Sequence, residues 1–419
     1  MKKLRLLLAV AGLTLLWSCS KDNGKEEEPQ PKPVNVRCVG ISGHDFVQPD
    51  GSRLYIKGVN LGNWLNQEGY MFGLGSSITA RGINEMFCQL VGPDYTRQFW
   101  RDFLDNYITL DDMKFIKSTG ANTVRLPIHY KMFTHDDWMG INDPAEGYKI
   151  LDRVIGWCKE TGLYLILGMH AAPGGNNGDK IDDSYYYPWL YESEVNRKLL
   201  CDVWRDIADH CKAEPIVLAY DLIEEPIPAM NNDLNGYLQP LLKEVTLAIR
   251  KVDPNHLVMW GGANYNDDFT VFDTSDLAFD DKICFTCHRF GSMYIDNFTS
   301  FRDKVNRPMF MGGWGHGENS EWMHSFAKVL RDNNIGYTTW PYKLLGSYSS
   351  FVGQRQPENW DKIMEFEKAP RMNYDDIKAA REKVGQDVAR KAMADFIETS
   401  KFNNCEKLDW YIRDVRMGE

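Results

Sequence analysis

Short apolar runs alternate along most of this chain with longer stretches in which apolar residues recur at helical spacing. Eight short runs have the length and composition of buried strands: residues 54–60, 123–127, 163–169, 217–223, 257–260, 282–287, 309–311 and 336–340. Helical patterns follow at 111–118, behind a capping box at Thr109 and Asp112, and at 151–161, 192–211, 234–252, 298–306, 321–333, 375–384 and 387–400. Strand–helix alternation repeated this often indicates parallel pairing and closure. We predict an α/β fold, a single-domain (β/α)8 TIM barrel over residues 37–419, with the C-terminal helices packed outside it.

The first 36 residues have a different character. Basic residues near the start precede an apolar run and then Ser18-Cys19, which predicts a signal peptide over residues 1–18. Residues 16–19 resemble a lipoprotein cleavage site, so we expect a lipidated Cys19 followed by a flexible, charged and proline-rich tether over 19–36. An ordinary secretory signal cleaved elsewhere is the alternative. The acidic run at 26–28 resembles the surface-export signals of Gram-negative bacteria, and this resemblance implies a cell-surface lipoprotein in the outer membrane. An anchor that faces the periplasm is the alternative.

Composition narrows the choice of partner. A net charge of -11 argues against a nucleic-acid partner, since phosphate binding needs a basic face. The cysteines are scattered and form no dense disulfide framework. The 13 Trp, 20 Tyr and 20 Phe residues fill cores first, yet a barrel rim that holds several flat rings suits sugars. We expect a monomer that meets the membrane through its lipid anchor only.

Chemistry in such barrels lies at the carboxyl ends of the strands. The segments found there are GVNLGNWL (58–65), NTVRLPIHY (122–130), LGMHAAPGGNNGD (167–179), YDLIEEPI (220–227), CFTCHRFG (284–291), MFMGGWGHGEN (309–319) and YTTWPYK (337–343). Taken in this order, they resemble glycoside hydrolase family 5, the retaining β-glycosidases. The resemblance covers nearly the whole chain after the tether, and it implies a β-glucan-like glycan, a polysaccharide or an oligosaccharide, as the ligand.

The resemblance also implies roles for individual residues. Glu225 matches the family's acid/base. Arg125, His170 and His288 occupy positions at which the family's side chains bind the catalytic carboxylates and the sugar hydroxyls. Trp340 matches the tryptophan that stacks on a sugar ring, with plain core packing as the alternative. Candidates for the cleft rim are Trp64, Gly174, Gly175, Asn176, Asn177, Asp179, Trp189 and the tyrosines at 185–187. The aromatic run at 185–189 fits a packed loop equally well.

Three positions depart from the family pattern. The nucleophile position is Gly313, the asparagine that normally precedes the acid/base is Glu224, and the tyrosine that normally supports the nucleophile is Phe290. The changes at 224 and 290 are both physically consistent with the absence of a carboxylate at 313. Without a carboxylate at 313, a hydroxyl at 290 loses its acceptor, and an acid at 224 escapes like-charge repulsion. We therefore expect a pseudoenzyme that binds glycan with little or no hydrolysis.

Two alternatives remain open at this stage. An active O-glycosyl hydrolase would need another carboxylate, either Glu318, after a loop rearrangement, or Glu224, which follows the same strand as Glu225. Residues 284–288 also match the c-type haem pattern of a redox carrier, but they fall inside a predicted strand with no room for a porphyrin. We expect no cofactor and no metal, because the histidines lack ligand spacing.

Overall fold

The computed structural model describes residues 37–346 and 349–418, all of which belong to one compact unit. The predicted signal peptide, Cys19 and the tether lie outside the described residues. Within the described ranges, no helix is both long enough and apolar enough to cross a membrane.

Eight parallel strands close into a barrel in chain order, which confirms the predicted fold class. We number them β1 to β8: Lys57–Asn60, Thr123–His129, Tyr164–Ala171, Val217–Asp221, Leu257–Gly261, Ile283–Phe290, Met309–Gly315 and Gly336–Thr339. Pairing of Thr338 with Gly58 joins β8 to β1 and completes the barrel. Strands β6 and β7 run further than the apolar pattern indicated, so Phe290 and Gly313 belong to strands rather than to loops.

The helices surround the barrel and extend beyond it. They span Ala80–Val91, Pro93–Asn106, Leu110–Ser118, Pro144–Thr161, Glu194–Cys211, Asn235–Arg250, Asp296–Val305, Ser320–Asp332, Trp360–Lys368, Tyr374–Val384, Gln386–Ser400 and Asp409–Asp414, with a four-residue turn at Ala263–Asn266. All eight predicted helical patterns correspond to helices, and the capping box of Thr109 and Asp112 is present. Helices Ala80–Val91, Pro93–Asn106, Trp360–Lys368 and Asp409–Asp414 were not predicted.

Those four helices pack mostly against other helices. Phe396 of the C-terminal region stacks on Phe72 with ring centroids 5.0 Å apart, and it lies 4.5 Å from the ring of Trp360. Trp100 and Phe103 join the same buried aromatic cluster. The apolar faces of these helices are covered by other helices and not by the barrel strands. The prediction relied on the alternation of strands with helices, and it therefore missed them. Much of the aromatic content is therefore core, as composition alone suggested.

Two small sheets complete the fold. One consists of Gly40–Ser42, Asp45–Val47 and Arg53–Leu54, and the other of Lys343–Leu345, Val352–Gln354 and Glu406–Lys407. Val39, Phe46 and Leu54 of the first sheet region join a buried cluster with barrel residues such as Ile166 and Phe310. This sheet covers the amino-terminal end of the barrel, which leaves the carboxyl end free for a binding site.

Candidate active site

A buried guanidinium lies beneath the site at the carboxyl end of the barrel. The Nε and Nη2 atoms of Arg125 donate to Oδ2 of Asp221 at 2.9 and 2.7 Å, and Nη1 donates to Oδ1 of Asn60 at 3.1 Å. Nη2 also contacts Oε2 of Glu224. The carboxylates of Glu224 and Asp221 raise the pKa of Arg125 and outweigh the opposing effect of burial. The guanidinium therefore holds two acidic side chains from the end of β4.

Glu224 is ionised in this setting. Burial alone would raise its pKa, but Arg125, His288 and His170 outweigh that effect and lower the pKa from 4.5 to about 2. Asp221 behaves differently, because burial dominates over Arg125 and raises its pKa. The position at which the family resemblance implies a neutral asparagine thus carries a negative charge here.

Glu225 follows immediately and occupies an unusual backbone conformation. Its φ of 40° lies in the left-handed region, where a non-glycine residue is strained by about 1–3 kcal/mol. Asn177 Nδ2 donates to the carbonyl of Glu225 at 3.2 Å, and the backbone N–H of Ile227 donates to the carbonyl of Asn176 at 3.1 Å. The Glu225 side chain is 14% exposed, and its Oε1 lies 2.9 Å from Nδ1 of His288. The neighbouring loop thus holds Glu225 beside His288.

A second imidazole faces the same region from β3. Nε2 of His170 lies 3.1 Å from Oε1 of Glu68, while its Nδ1 lies 3.7 Å from Oε1 of Glu224. Burial raises the pKa of Glu68, although His170 opposes the rise. Trp340 stacks on the His170 ring at 5.5 Å, and its Nε1 donates to the hydroxyl of Tyr70 at 2.6 Å. Trp340 is therefore positioned by the site and lies outside the main core.

Gly313 lies in β7 and lines the same cavity as these groups. A β-carbon placed on Gly313 would stand 3.2 Å from both Cε1 and Nδ1 of His288, closer than most real contacts of this kind. Phe290 of β6 is 51% exposed at the cavity edge. The carboxylates that line this cavity among the described residues are those of Glu68, Asp179, Glu224 and Glu225.

Glu318 lies elsewhere. It is exposed in the segment that follows β7, and it does not line the cavity that contains Glu225. Glu321 is likewise exposed, at the start of helix Ser320–Asp332. Neither replaces a carboxylate at position 313 without a rearrangement of this segment.

The cavity belongs to a longer cleft. A cavity of about 320 Å³ contains Glu225 and Trp340, and a neighbour of about 500 Å³ shares Tyr70, Phe290 and Trp340 with it. A third cavity of about 410 Å³ shares Asp179 and Lys180 with the central one. The three cavities follow one another past the ends of the strands, as an extended ligand requires.

The expected rim residues divide into several groups. The prediction that Trp64 lies at the rim is wrong, because its side chain is fully buried. Its Nε1 donates to the carbonyl of Leu104 at 3.2 Å, and its ring stacks on Trp157. The chain after β1 directs this side chain toward the helices. Asn177 and Asp179 line the cleft, as expected. The rim prediction is also wrong for Asn176, which is buried and donates from Nδ2 to the carbonyl of Glu224 at 2.5 Å.

The remaining rim candidates lie on the other side of the 174–187 segment. Gly174, Gly175 and Tyr185 line a separate cavity of about 430 Å³, which also contains Trp138. Tyr186 lines the third cavity of the cleft. Tyr187 packs partly on the core and contacts Trp189, which is exposed. The aromatic run is thus partly a packed loop and partly a cleft wall.

Several residues of the cleft escaped the sequence analysis, and Glu68, Tyr70 and Lys180 are the charged or aromatic ones in the central cavity. Glu68 and Tyr70 come shortly after the end of β1, so their position behind a strand was the available signal. The structure also argues against haem attachment at residues 284–288. Cys284 and Cys287 are buried in β6, and His288 turns to the cleft.

A family model for cellulase, glycosyl hydrolase family 5, matches residues 95–344 of this chain. The protein belongs to glycosyl hydrolase family 5. A β-xylosidase of Phanerodontia chrysosporium is 31% identical over 234 residues, which are 55% of this chain and 48% of the relative. Endoglucanase C of Acetivibrio thermocellus is 29% identical over 197 residues, which are 47% of this chain and 54% of the relative. The match therefore spans about half the length of each relative.

The fold agrees with this membership. The solved structure of a rutinosidase from Aspergillus niger aligns with a TM-score of 0.57 at 18% identity, over 69% of this chain and 90% of that one. Within the family 5 barrel, β2, β3 and β6 carry Arg125, His170 and His288. Glu225 and Trp340 follow the ends of β4 and β8, and β7 carries Gly313.

Proposed function

We propose that this family 5 barrel binds a β-glucan-type chain in its cleft and hydrolyses it little or not at all. One observation carries the proposal: Gly313 offers no carboxylate opposite Glu225. A retaining glycosidase needs two carboxyl groups about 5–5.5 Å apart on opposite sides of the anomeric carbon. Glu224 and Glu225 follow the same strand and both approach His288, with ligand atoms within 4.8 Å of one another, so they approach a sugar from one side.

Glycan binding is supported by the groups that remain. Trp340 and Tyr70 are joined by a hydrogen bond at the edge shared by two cavities, and aromatic rings suit the apolar faces of sugars. Relatives described as an endoglucanase and a β-xylosidase support a β-linked glycan as the ligand. The proposed location is the cell surface, with a lipid on Cys19 as the attachment and the barrel as the part that captures glycan.

An active O-glycosyl hydrolase is the second candidate. The observation that favours it is Glu224, whose pKa of about 2 leaves an ionised carboxylate at the cavity wall beside Glu225. As a base, Glu224 would activate water for attack, and Glu225 would protonate the leaving oxygen. Inverting pairs stand about 6.5–9.5 Å apart on opposite sides of the sugar, so this candidate requires Glu224 to move away from Glu225 when the glycan binds.

The two candidates are separated by measuring binding and turnover together. Oligosaccharides from β-1,3-glucan, β-1,4-glucan and xylan are titrated into the protein by calorimetry, and reducing sugar is followed in the same mixtures. We expect binding to at least one of them without release of reducing sugar. Hydrolysis that Glu224→Gln abolishes would support the second candidate. Hydrolysis that Glu318→Gln abolishes would show that the segment after β7 supplies the nucleophile.

The location has its own test. Cells that make the whole chain are treated with an external protease, and membranes are probed for the protein. We expect degradation of the wild type in intact cells and loss of membrane attachment in Cys19→Ala. A protected, membrane-attached protein would place the anchor on the periplasmic side.

A further inference from the structure

A cysteine, a histidine and an aspartate contact one another at the amino-terminal end of the barrel, opposite the cleft. Sγ of Cys38 lies 3.4 Å from Nε2 of His256, and Nδ1 of the same ring lies 2.6 Å from Oδ2 of Asp253. Cys38 comes shortly before strand Gly40–Ser42 of the small sheet that covers this end, and His256 comes immediately before β5. None of the three residues lines a cavity of the cleft. They form a second cluster of reactive groups, which we call the thiol cluster.

The imidazole of His256 carries a hydrogen on both ring nitrogens. Nδ1 faces the carboxylate of Asp253, and Nε2 lies 3.1 Å from the carbonyl oxygen of Glu214. Both oxygens only accept hydrogen bonds, so each nitrogen has to donate. Burial alone would lower the pKa of His256, but Asp253 and Cys38 outweigh burial and raise the pKa to about 10. The ring is therefore an imidazolium at neutral pH.

The surroundings of Asp253 hold this ring in place. The hydroxyl of Tyr220 donates to Oδ2 of Asp253 at 2.8 Å. The backbone N–H groups of Asn255 and His256 donate to its Oδ1 at 2.8 and 3.2 Å. Burial would raise the pKa of Asp253, but His256 and these donors outweigh burial and lower it. Asp253 and His256 are fully buried, whereas Cys38 is partly exposed, so a fixed cation lies behind a sulfur that solvent can reach.

The contact between Cys38 and His256 favours an ionised sulfur. Nε2 lies within hydrogen-bond distance of both the carbonyl of Glu214 and Sγ of Cys38, and it can donate to both. Because this nitrogen already carries its hydrogen, it cannot accept the S–H of Cys38. A sulfur without its proton is the better acceptor for this N–H. A neighbouring imidazolium favours the thiolate form of a cysteine, and the thiolate is the nucleophilic form.

The other seven cysteines of the described ranges lie in different surroundings. Burial raises the pKa of each of these thiols: Cys88, Cys158, Cys201, Cys211, Cys284, Cys287 and Cys405. Cys88, Cys201 and Cys405 are partly exposed, as Cys38 is. These three thiols therefore provide a comparison for Cys38 within the same protein.

We propose that Cys38 is a thiol-modification site that forms mixed disulfides with small disulfide compounds. The Sγ thiolate attacks one sulfur of the disulfide, a new S–S bond forms at Cys38, and the original S–S bond breaks. The other half leaves as a thiolate and takes a proton from water. His256 keeps its own protons throughout and acts as a positioning residue. The site lies outside the glycan cleft and does not depend on glycan binding, and the exported location proposed above is one in which disulfides persist.

The first test measures how fast each cysteine reacts with hydroxyethyl disulfide, a small neutral compound. The full chain is used without glycan, and peptide mass mapping assigns each label. At about pH 6 we expect Cys38 to react about tenfold or more faster than Cys88, Cys201 or Cys405, because its larger thiolate fraction outweighs the lower nucleophilicity of a stabilised thiolate. An ordinary thiol loses about tenfold in rate per pH unit below its pKa of about 8.5, whereas the rate at Cys38 should fall less than about threefold from about pH 7 to 6. Equal rates at all four cysteines, or a tenfold fall at Cys38, would overturn the proposal.

The second test assigns the effect to the imidazolium. His256→Gln should slow the reaction of Cys38 about tenfold or more at about pH 6 and restore the steep dependence on pH. His135→Gln changes an exposed histidine and serves as the matched control. Cys38→Ser should abolish the rapid reaction, and Cys88→Ser should retain it. Equal rates in wild type and His256→Gln would contradict the proposal.

A third measurement decides the matter if His256→Gln fails to fold. Ultraviolet thiolate absorbance of the wild type is compared with that of Cys38→Ser over a range of pH. A difference already present near about pH 6 supports a thiolate at Cys38. A difference that appears only above about pH 8 would overturn the proposal.

Discussion

The imidazole of His288 lies against Gly313 at contact distance. A β-carbon at 313 would stand 3.2 Å from Nδ1 of His288, the same atom that lies 2.9 Å from Oε1 of Glu225. A side chain introduced at 313 therefore moves the ring that contacts Glu225. The glycine and the arrangement around Glu225 are physically coupled.

Restoring a carboxylate by Gly313→Glu should recover hydrolysis only in part. The new side chain displaces His288, and Glu224 repels it, so the two carboxylates needed for retention are misplaced. A misplacement of about 1 Å can reduce a rate about 100-fold. We therefore expect the single variant to hydrolyse β-glucan about 100-fold more slowly than the triple variant Gly313→Glu/Glu224→Asn/Phe290→Tyr. Reducing sugar released from β-glucan measures both, and Gly313→Ala is the control without a carboxylate. Equal activity of the single and triple variants would contradict this coupling.

Removing the buried guanidinium should strongly destabilise the barrel. Arg125→Met leaves Asp221 and Glu224 buried without their partner, and such a loss costs about 3–5 kcal/mol. Urea unfolding monitored by tryptophan fluorescence gives the change in free energy. Arg205→Met, which removes exposed ion pairs with Asp202 and Asp206, should cost less than about 1 kcal/mol. A loss of similar size in both variants would argue against an ion cluster at the barrel floor.

The low pKa of Glu224 predicts an acid-dependent contribution to stability. Its pKa falls from 4.5 to about 2 on folding, so its ionised form stabilises the folded state above 4.5, and this contribution disappears as pH falls toward 2. The difference in unfolding free energy between wild type and Glu224→Gln should therefore shrink between pH values of about 5 and 2. The measurement is a series of urea titrations. Glu318→Gln, at an exposed site, should show no comparable trend, and a constant difference for Glu224→Gln would refute the assignment.

Loss of the Trp340 ring should weaken glycan binding. Trp340→Ala removes a ring that lines two adjoining cavities, and we expect affinity for the bound oligosaccharide to fall about tenfold or more. Calorimetric titration measures the change, and Trp340→Phe should retain most of the affinity. Trp189→Ala removes an exposed tryptophan that lines none of the three cavities of the cleft, and it should bind like wild type. Comparable losses in Trp189→Ala would move the binding surface to the other side of the 174–187 segment.

Strand–helix alternation and the order of motifs were enough to predict the barrel and most residues at its open end. Arg125, His170, Glu225, His288 and Trp340 all come together there, because parallel strands bring their carboxyl ends to one edge. Trp64 shows the limit of that reasoning. It follows β1, yet its ring turns outward to the helices, since the direction of a side chain after a strand depends on the loop that carries it.

What the sequence determined by itself was local or periodic: the strands, the capping box and the glycine at 313. Tertiary structure alone decided which distant groups meet. Glu68 and His170 are 102 positions apart along the chain, and Arg125 and Glu224 are 99 apart. Their contacts set the charge on Glu224 and direct Nδ1 of His170 into the cleft. Electrostatic shifts and contact geometry depend on distances of a few ångströms, and spacing along a chain does not encode those distances once the barrel has closed.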